Sequence, residues 1–130
     1  MGITREGQKM APNKKVLVVE DDQEVLSMLL DYLTFLGYET TGAGDGLEGL
    51  KHLRTGLYDM VITDLSMPYI SGIGIISVIK KDYPNIPVIA ITGFGRYAEE
   101  LAQEKKADFV LSKPFEISDL KDAITRLLPA

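Results

Sequence analysis

Glu20, Asp21, Asp64, Thr92 and Lys113 are of types and spacings that could act together on one phosphoryl group. Glu20 and Asp21 follow the apolar run Lys15-Val16-Leu17-Val18-Val19. Asp64 ends Met60-Val61-Ile62-Thr63, Thr92 ends Val88-Ile89-Ala90-Ile91, and Lys113 follows Phe109-Val110-Leu111-Ser112. Carboxylates brought together repel, raise one another's pKa and destabilise the protein unless a cation joins them, so a meeting of Glu20, Asp21 and Asp64 points to a hard cation. Magnesium suits an all-oxygen site best, because it takes one or two carboxylates, keeps several waters and shares phosphate oxygens. Lys113 supplies a point charge and Thr92 a hydroxyl donor, both suited to the extra oxygens of a phosphoryl group on Asp64. A carboxylate can itself be the nucleophile, and the chemistry read here is phosphoryl transfer giving an aspartyl phosphate.

For this to work, four strand ends must meet. The runs before Glu20, Asp64 and Thr92 are continuously apolar, as strands buried on both faces are, and Pro68 stops the Asp64 strand from continuing in its ladder. Val25, Met28, Leu29, Tyr32, Leu33 and Leu36 repeat at helical spacing, with Gly37 placed to end the helix. Tyr38-Glu39-Thr40-Thr41 is polar and alternating, which predicts an edge strand. Leu47, Leu50, Leu53 and Leu57 mark a second helix ending near Gly56. A third follows Gly72 and Gly74 with Ile75, Ile76 and Ile79 inward. A fourth, over Arg96 to Lys106, has only Leu101 and alanines to pack and is the expected moving part. Ile117, Leu120, Ile124 and Leu127 stripe the last. Alternating strands and helices predict a doubly wound α/β fold: a five-stranded parallel sheet, (βα)5, with the flavodoxin-like strand order 2-1-3-4-5. Ligands of such sheets bind outside the carboxyl ends of the strands, where the candidate residues lie.

A chain of 130 residues suits one domain, expected over 14–130 behind a polar, disordered leader at 1–13 in which Met10 is an alternative start. A net charge of −5 and scattered basic residues argue against direct nucleic-acid binding. The lack of cysteine rules out disulfides and thiolate chemistry and fits the cytoplasm. No segment approaches the roughly 20 apolar residues of a membrane span, so no membrane association is expected.

In motif order and spacing, the stretch from Lys15 to Leu128 resembles a response-regulator receiver domain, the phosphoacceptor half of two-component signalling. The resemblance rests on Val18-Val19-Glu20-Asp21-Asp22, Asp64-Leu65-Ser66-Met67-Pro68, Gly72 after Met67-Pro68-Tyr69-Ile70-Ser71, Thr92-Gly93, and Lys113-Pro114-Phe115. It implies Asp64 as phosphoacceptor, Thr92 as switch hydroxyl, Lys113 as the site lysine, and magnesium held by Glu20, Asp21, Asp64 and the backbone carbonyl of Ser66. It also implies a cis Lys113-Pro114 bond. The implied partner is a sensor histidine kinase or histidine phosphotransfer protein, with a phosphorylation-dependent homodimer as an open alternative. The implied output is a change at the surface of the fourth helix, fifth strand and fifth helix. Such a domain catalyses its own phosphorylation and dephosphorylation and turns over no free substrate. One position departs from the pattern: many receivers carry Tyr or Phe three residues before the lysine, where this chain has Val110, with Phe109 beside it.

Blander readings stand beside these. Asp22, and even Asp21, could simply cap the first helix, and Asp22 is assigned that role. Thr92 could merely end a strand, Lys113 could be solvated, and His52, near Lys51 and Arg54, reads as surface. A different function, nucleotide or flavin binding, is suggested by Gly44-Asp45-Gly46-Leu47-Glu48-Gly49, which matches Gly-x-Gly-x-x-Gly. It follows the polar edge strand, however, whereas a pyrophosphate loop belongs after the central first strand, where acids stand instead.

Overall fold

The computed structural model describes residues 14–65, 72–93 and 107–128. Strands β1 (Lys15–Val19), β2 (Glu39–Ala43), β3 (Met60–Asp64), β4 (Val88–Thr92) and β5 (Phe109–Ser112) form one parallel sheet in the order β2-β1-β3-β4-β5, as expected. The helices are α1 (Gln23–Phe35), α2 (Gly46–Thr55), α3 (Gly72–Asp82) and α4 (Ile117–Leu127). The helix expected over 96–106 lies outside the described residues, as does Pro68. None of the described helices is long and apolar enough to cross a membrane.

Strand alternation divides the core in two. Val16, Val18, Met60, Ile62, Ile89, Ile91 and Leu111 meet Leu26, Leu29 and Leu33 of α1 and Leu120 and Ile124 of α4. On the other face Leu17, Val19, Val61, Val88 and Ala90 meet Leu53 of α2 and Ile75, Ile76 and Ile79 of α3. Side chains such as Leu29 and Ile76 are fully buried, each stabilising the fold by roughly 1.5–3 kcal/mol.

Two helical stripes differ from expectation. In α1 the buried line runs through Leu26, Leu29 and Leu33, while Met28 is 44% exposed: the sheet takes the leucine ridge, one position round from Val25 and Met28. In α2 Leu47 is exposed, as is Leu57 beyond the helix's end, and the buried positions are Gly46, Gly49 and Leu53. The reason is close approach. A Cβ on Gly49 would lie 2.9 Å from Val19 Cγ2, so α2 sits against β1 through a glycine, with Leu53 buried beside it and Leu47 turned aside. The ends follow local chemistry. Asp22 Oδ1 accepts from the amides of Glu24 (3.0 Å) and Val25 (3.2 Å) to start α1, and Gly37, at φ 103°, turns the chain beyond its end.

Candidate functional site

The two-residue period that builds the core also aims the site. Val16 and Val18 lead on the same face to Glu20, Met60 and Ile62 to Asp64, and Phe109 and Leu111 to Lys113. The registers bring these ends level. Val19 pairs with Thr63, so Glu20 stands beside Asp64, and Thr92 pairs with Ser112, so Lys113 follows at the same height. Thr92, fully buried, has the opposite parity, that of Val88 and Ala90. Val110, paired with Ala90, shares that second face, whereas Phe109 packs on the first and carries the Arg126 guanidinium 5.7 Å from its ring centre.

Carboxylate oxygens of Glu20, Asp21 and Asp64 lie within 4.8 Å of one another, with Glu20 and Asp64 buried and Asp21 exposed. Lys113 Nζ donates to Asp64 Oδ2 at 3.1 Å and lies 4.0 Å from Glu20 Oε1. Burial, and then the Asp64 carboxylate, push the Glu20 carboxyl up to about 7, against a backbone N–H from Asp22 that favours its ionised form. Burial pulls the Lys113 ammonium down, but the hydrogen bond to Asp64 and the charges of Asp64, Glu20 and Asp21 outweigh it, and its pKa is raised. Among the described residues Glu20 Oε1 is buried without a hydrogen-bond partner. An orphaned carboxylate oxygen beside two other carboxylates is a donor set that fits a hard cation. Ser66 lies outside the described residues; the Lys113-Pro114 bond is cis, as the resemblance implied.

Asp22 caps α1 as expected and does something its sequence context does not reveal: its N–H donates to Glu20 Oε2 at 3.1 Å. Also unforeseen is an apolar groove beside Lys113, lined by Val25, Met28, Phe115 and Ile117. Its lining includes Met28, which is 44% exposed on α1, and no signal in the sequence marks the groove. His52 is a partly exposed neighbour of Glu48 at 3.9 Å. The glycine-rich stretch is not a phosphate loop. The Gly44 N–H donates to Glu48 Oε1 (2.7 Å) and the Glu48 N–H to Asp45 Oδ1 (2.8 Å), so carboxylates of the chain itself occupy the place of a phosphate, and Gly49 serves packing.

Comparison with known proteins agrees with this geometry. Residues 16–125 match the response regulator receiver domain family, and the chain belongs to it. It is 36% identical over 126 residues to a probable chemotaxis protein CheY of Rhizobium etli (93% of this chain, 97% of that protein). It is 32% identical over 120 residues to sporulation initiation phosphotransferase F of Bacillus subtilis (90% and 95%). Among solved structures, response regulator protein TrrA of Thermotoga maritima, in complex with Mg(2+)-BeF, superposes with a TM-score of 0.82 at 35% identity, covering 88% of this chain and 99% of that one. Other curated relatives are longer, and the chain spans 13 to 48% of them. As a receiver domain, the chain is a phosphoacceptor in two-component signalling.

Proposed function

We propose that Asp64 is the phosphoacceptor, with Glu20, Asp21, Asp64 and the Ser66 backbone carbonyl holding magnesium. The observation that carries this reading is the meeting of the three carboxylates within 4.8 Å, with the Lys113 ammonium 3.1 Å from Asp64. An Asp64 oxygen attacks phosphorus as the bond from phosphorus to the donor's imidazole nitrogen breaks, and the nitrogen keeps the electron pair. Bound magnesium supplies positive charge to the oxygens of the group in transfer. Lys113 holds its charge against the same oxygens, and Thr92 donates its hydroxyl to one of them once the group is on Asp64. Burial of Asp64 and Glu20 keeps these interactions in a medium where they are stronger than in water.

The donor is a histidine kinase or a histidine phosphotransfer protein in the cytoplasm. The curated relatives named a phosphotransferase and an autoinducer sensor kinase/phosphatase support this class of partner. The output is a shift between two populations of the surface made by 96–106, β5 and α4. A second copy of the phosphorylated chain is a further partner to test. With magnesium and acetyl phosphate, intact mass is expected to show one phosphoryl adduct that Asp64→Asn abolishes. Equal yield from that variant would overturn the assignment.

A further inference from the structure

The two strands that deliver Asp64 and Lys113 begin in the same way. At the start of β3 the Asp59 N–H donates to the Lys15 carbonyl (2.8 Å), and the Lys15 N–H donates back to Asp59 Oδ2 (2.8 Å). At the start of β5 the Asp108 N–H donates to the Val88 carbonyl (2.9 Å), and the Val88 N–H donates back to Asp108 Oδ2 (2.8 Å). In a parallel ladder the first residue of a strand would give its N–H to a carbonyl one step earlier on its neighbour. Here an aspartate side chain takes that carbonyl's place and closes a ring with the first residue of the adjacent strand. Asp59 precedes Asp64, and Asp108 precedes Lys113, by the same interval along the chain.

We propose that Asp59 and Asp108 are positioning residues that lock the registers of β3 on β1 and of β5 on β4, thereby holding Asp64 beside Glu20 and Lys113 against Asp64. The reason is the side-chain period. A slip of one residue would carry Lys113 or Asp64 to the opposite face of the sheet, and a slip of two would displace it by roughly 7 Å. Such locks are most needed where pairing is weakest. Central β3 is paired on both sides, whereas β5 is a short edge strand that among the described residues pairs with β4 alone. It is at β5 that the lock is reinforced. Lys80 Nζ, from the last turn of α3, donates to Asp108 Oδ2 at 2.6 Å and to the Ile86 carbonyl at 3.4 Å, tying the strand's start to α3. At the other end of β5 the Lys113 N–H donates to the Thr92 carbonyl at 2.7 Å, so the strand is held at the lock and beside the site.

The consequence for the site rests on the roles proposed above for Asp64 and Lys113; the locks themselves do not. The test combines Asp108→Ala, Asp108→Asn, Asp59→Ala and Lys80→Met with two readouts taken well below each variant's melting temperature. One is the rate of adduct formation with magnesium and acetyl phosphate. The other is amide exchange at Lys113, together with cross-strand contacts between Val19 and Thr63 and between Thr92 and Ser112. Asp108→Ala is expected to slow adduct formation by roughly tenfold to a hundredfold, since misplacing a reacting group by about 1 Å can cost on the order of a hundredfold. It should also speed exchange at Lys113, with Asp59→Ala weaker in both. Asp108→Asn should recover most of the rate, since its amide oxygen can still accept the Val88 N–H. In a Lys113→Ala background, Asp108→Ala should slow the reaction no further, because the two act through one ammonium. An unchanged rate and unchanged exchange at Lys113, or losses that simply add in the double variant, would overturn the proposal. If wild-type protein takes up no phosphoryl group, the reading of the site fails, and the exchange and contact measurements alone decide whether the locks exist. Should Asp108→Ala fail to fold, Lys80→Met, which removes the reinforcing bond to Asp108 Oδ2, is expected to show the same two losses in smaller measure, and an unchanged rate with unchanged exchange in it would overturn the proposal.

Discussion

Glu20 Oε1 lies 4.0 Å from the Lys113 ammonium, beyond hydrogen-bond reach, while Lys113 gives its bond to Asp64 instead. One cation thus serves two buried carboxylates unequally, and Glu20 bears the cost, its pKa raised from 4.5 to about 7 by burial first and by Asp64 next. Because the folded value exceeds the unfolded one, folding favours protonated Glu20. The stabilisation is fully present below about pH 4.5 and is lost as pH rises through about 7. Metal-free protein should therefore lose up to a few kcal/mol between these limits, one pKa unit being worth about 1.4 kcal/mol. Urea midpoints at intervals from pH 4.5 to 8 are the measurement. Glu20→Gln should flatten this part of the profile, and millimolar magnesium should restore stability most at the alkaline end. Identical profiles for wild type and Glu20→Gln would contradict the account.

Removing the cation should unmask the repulsion it now offsets. Lys113→Met is expected to destabilise metal-free protein by about 1–2 kcal/mol, less than a fully buried pair would lose because Lys113 is partly solvated. Magnesium should recover more stability in this variant than in wild type. Thermal melts with and without the metal distinguish this from a simple packing loss, which magnesium would leave unchanged.

Transmission should depend on Thr92 and not on an aromatic side chain. Val110 is β-branched, with little rotamer freedom, and packs half-buried against the second-face core, and Phe109 lies on the opposite face under Arg126. Nuclear magnetic resonance with the beryllofluoride phosphate mimic should show shifts across Phe109–Ser112 that disappear in Thr92→Ala and survive in Val110→Ala. Shifts lost equally in both variants would mean that Val110 carries the signal after all.

Gly49 should be intolerant of even one methyl group. Its Cβ would meet Val19 Cγ2 at 2.9 Å, and Val19 is a fully packed strand residue that cannot swing away. Gly49→Ala is expected to destabilise by about 1–3 kcal/mol in urea denaturation, through overpacking. A neutral result would show that α2 can ride outward on the sheet.

Strands β1, β3 and β4 were legible because burial on both faces leaves a continuous apolar run, and the site because such runs end in residues that do not belong in a core. Asp64 and Lys113 are informative for that reason. The facing of α1 and α2 was less legible. Helical spacing identifies a stripe of leucines, but Gly49, which decides how α2 meets β1, has no side chain to register in a hydrophobic pattern. Asp59 and Asp108 were invisible for a different cause: an aspartate before a strand reads as a turn residue, and only its partner across the ladder shows otherwise.

The double duty of Asp22 bears on how mutational scans of this chain should be interpreted. Its N–H fixes Glu20 Oε2 while its carboxylate holds the first turn of α1. Alanine at this position leaves the N–H in place but frees the peptide that carries it, so the acidic pocket loosens together with the helix. In a functional screen Asp22 would score like a residue of the reaction centre without contacting the transferred group. Its effect would be non-additive with any change at Glu20, and a double variant would separate the two roles where a single substitution could not.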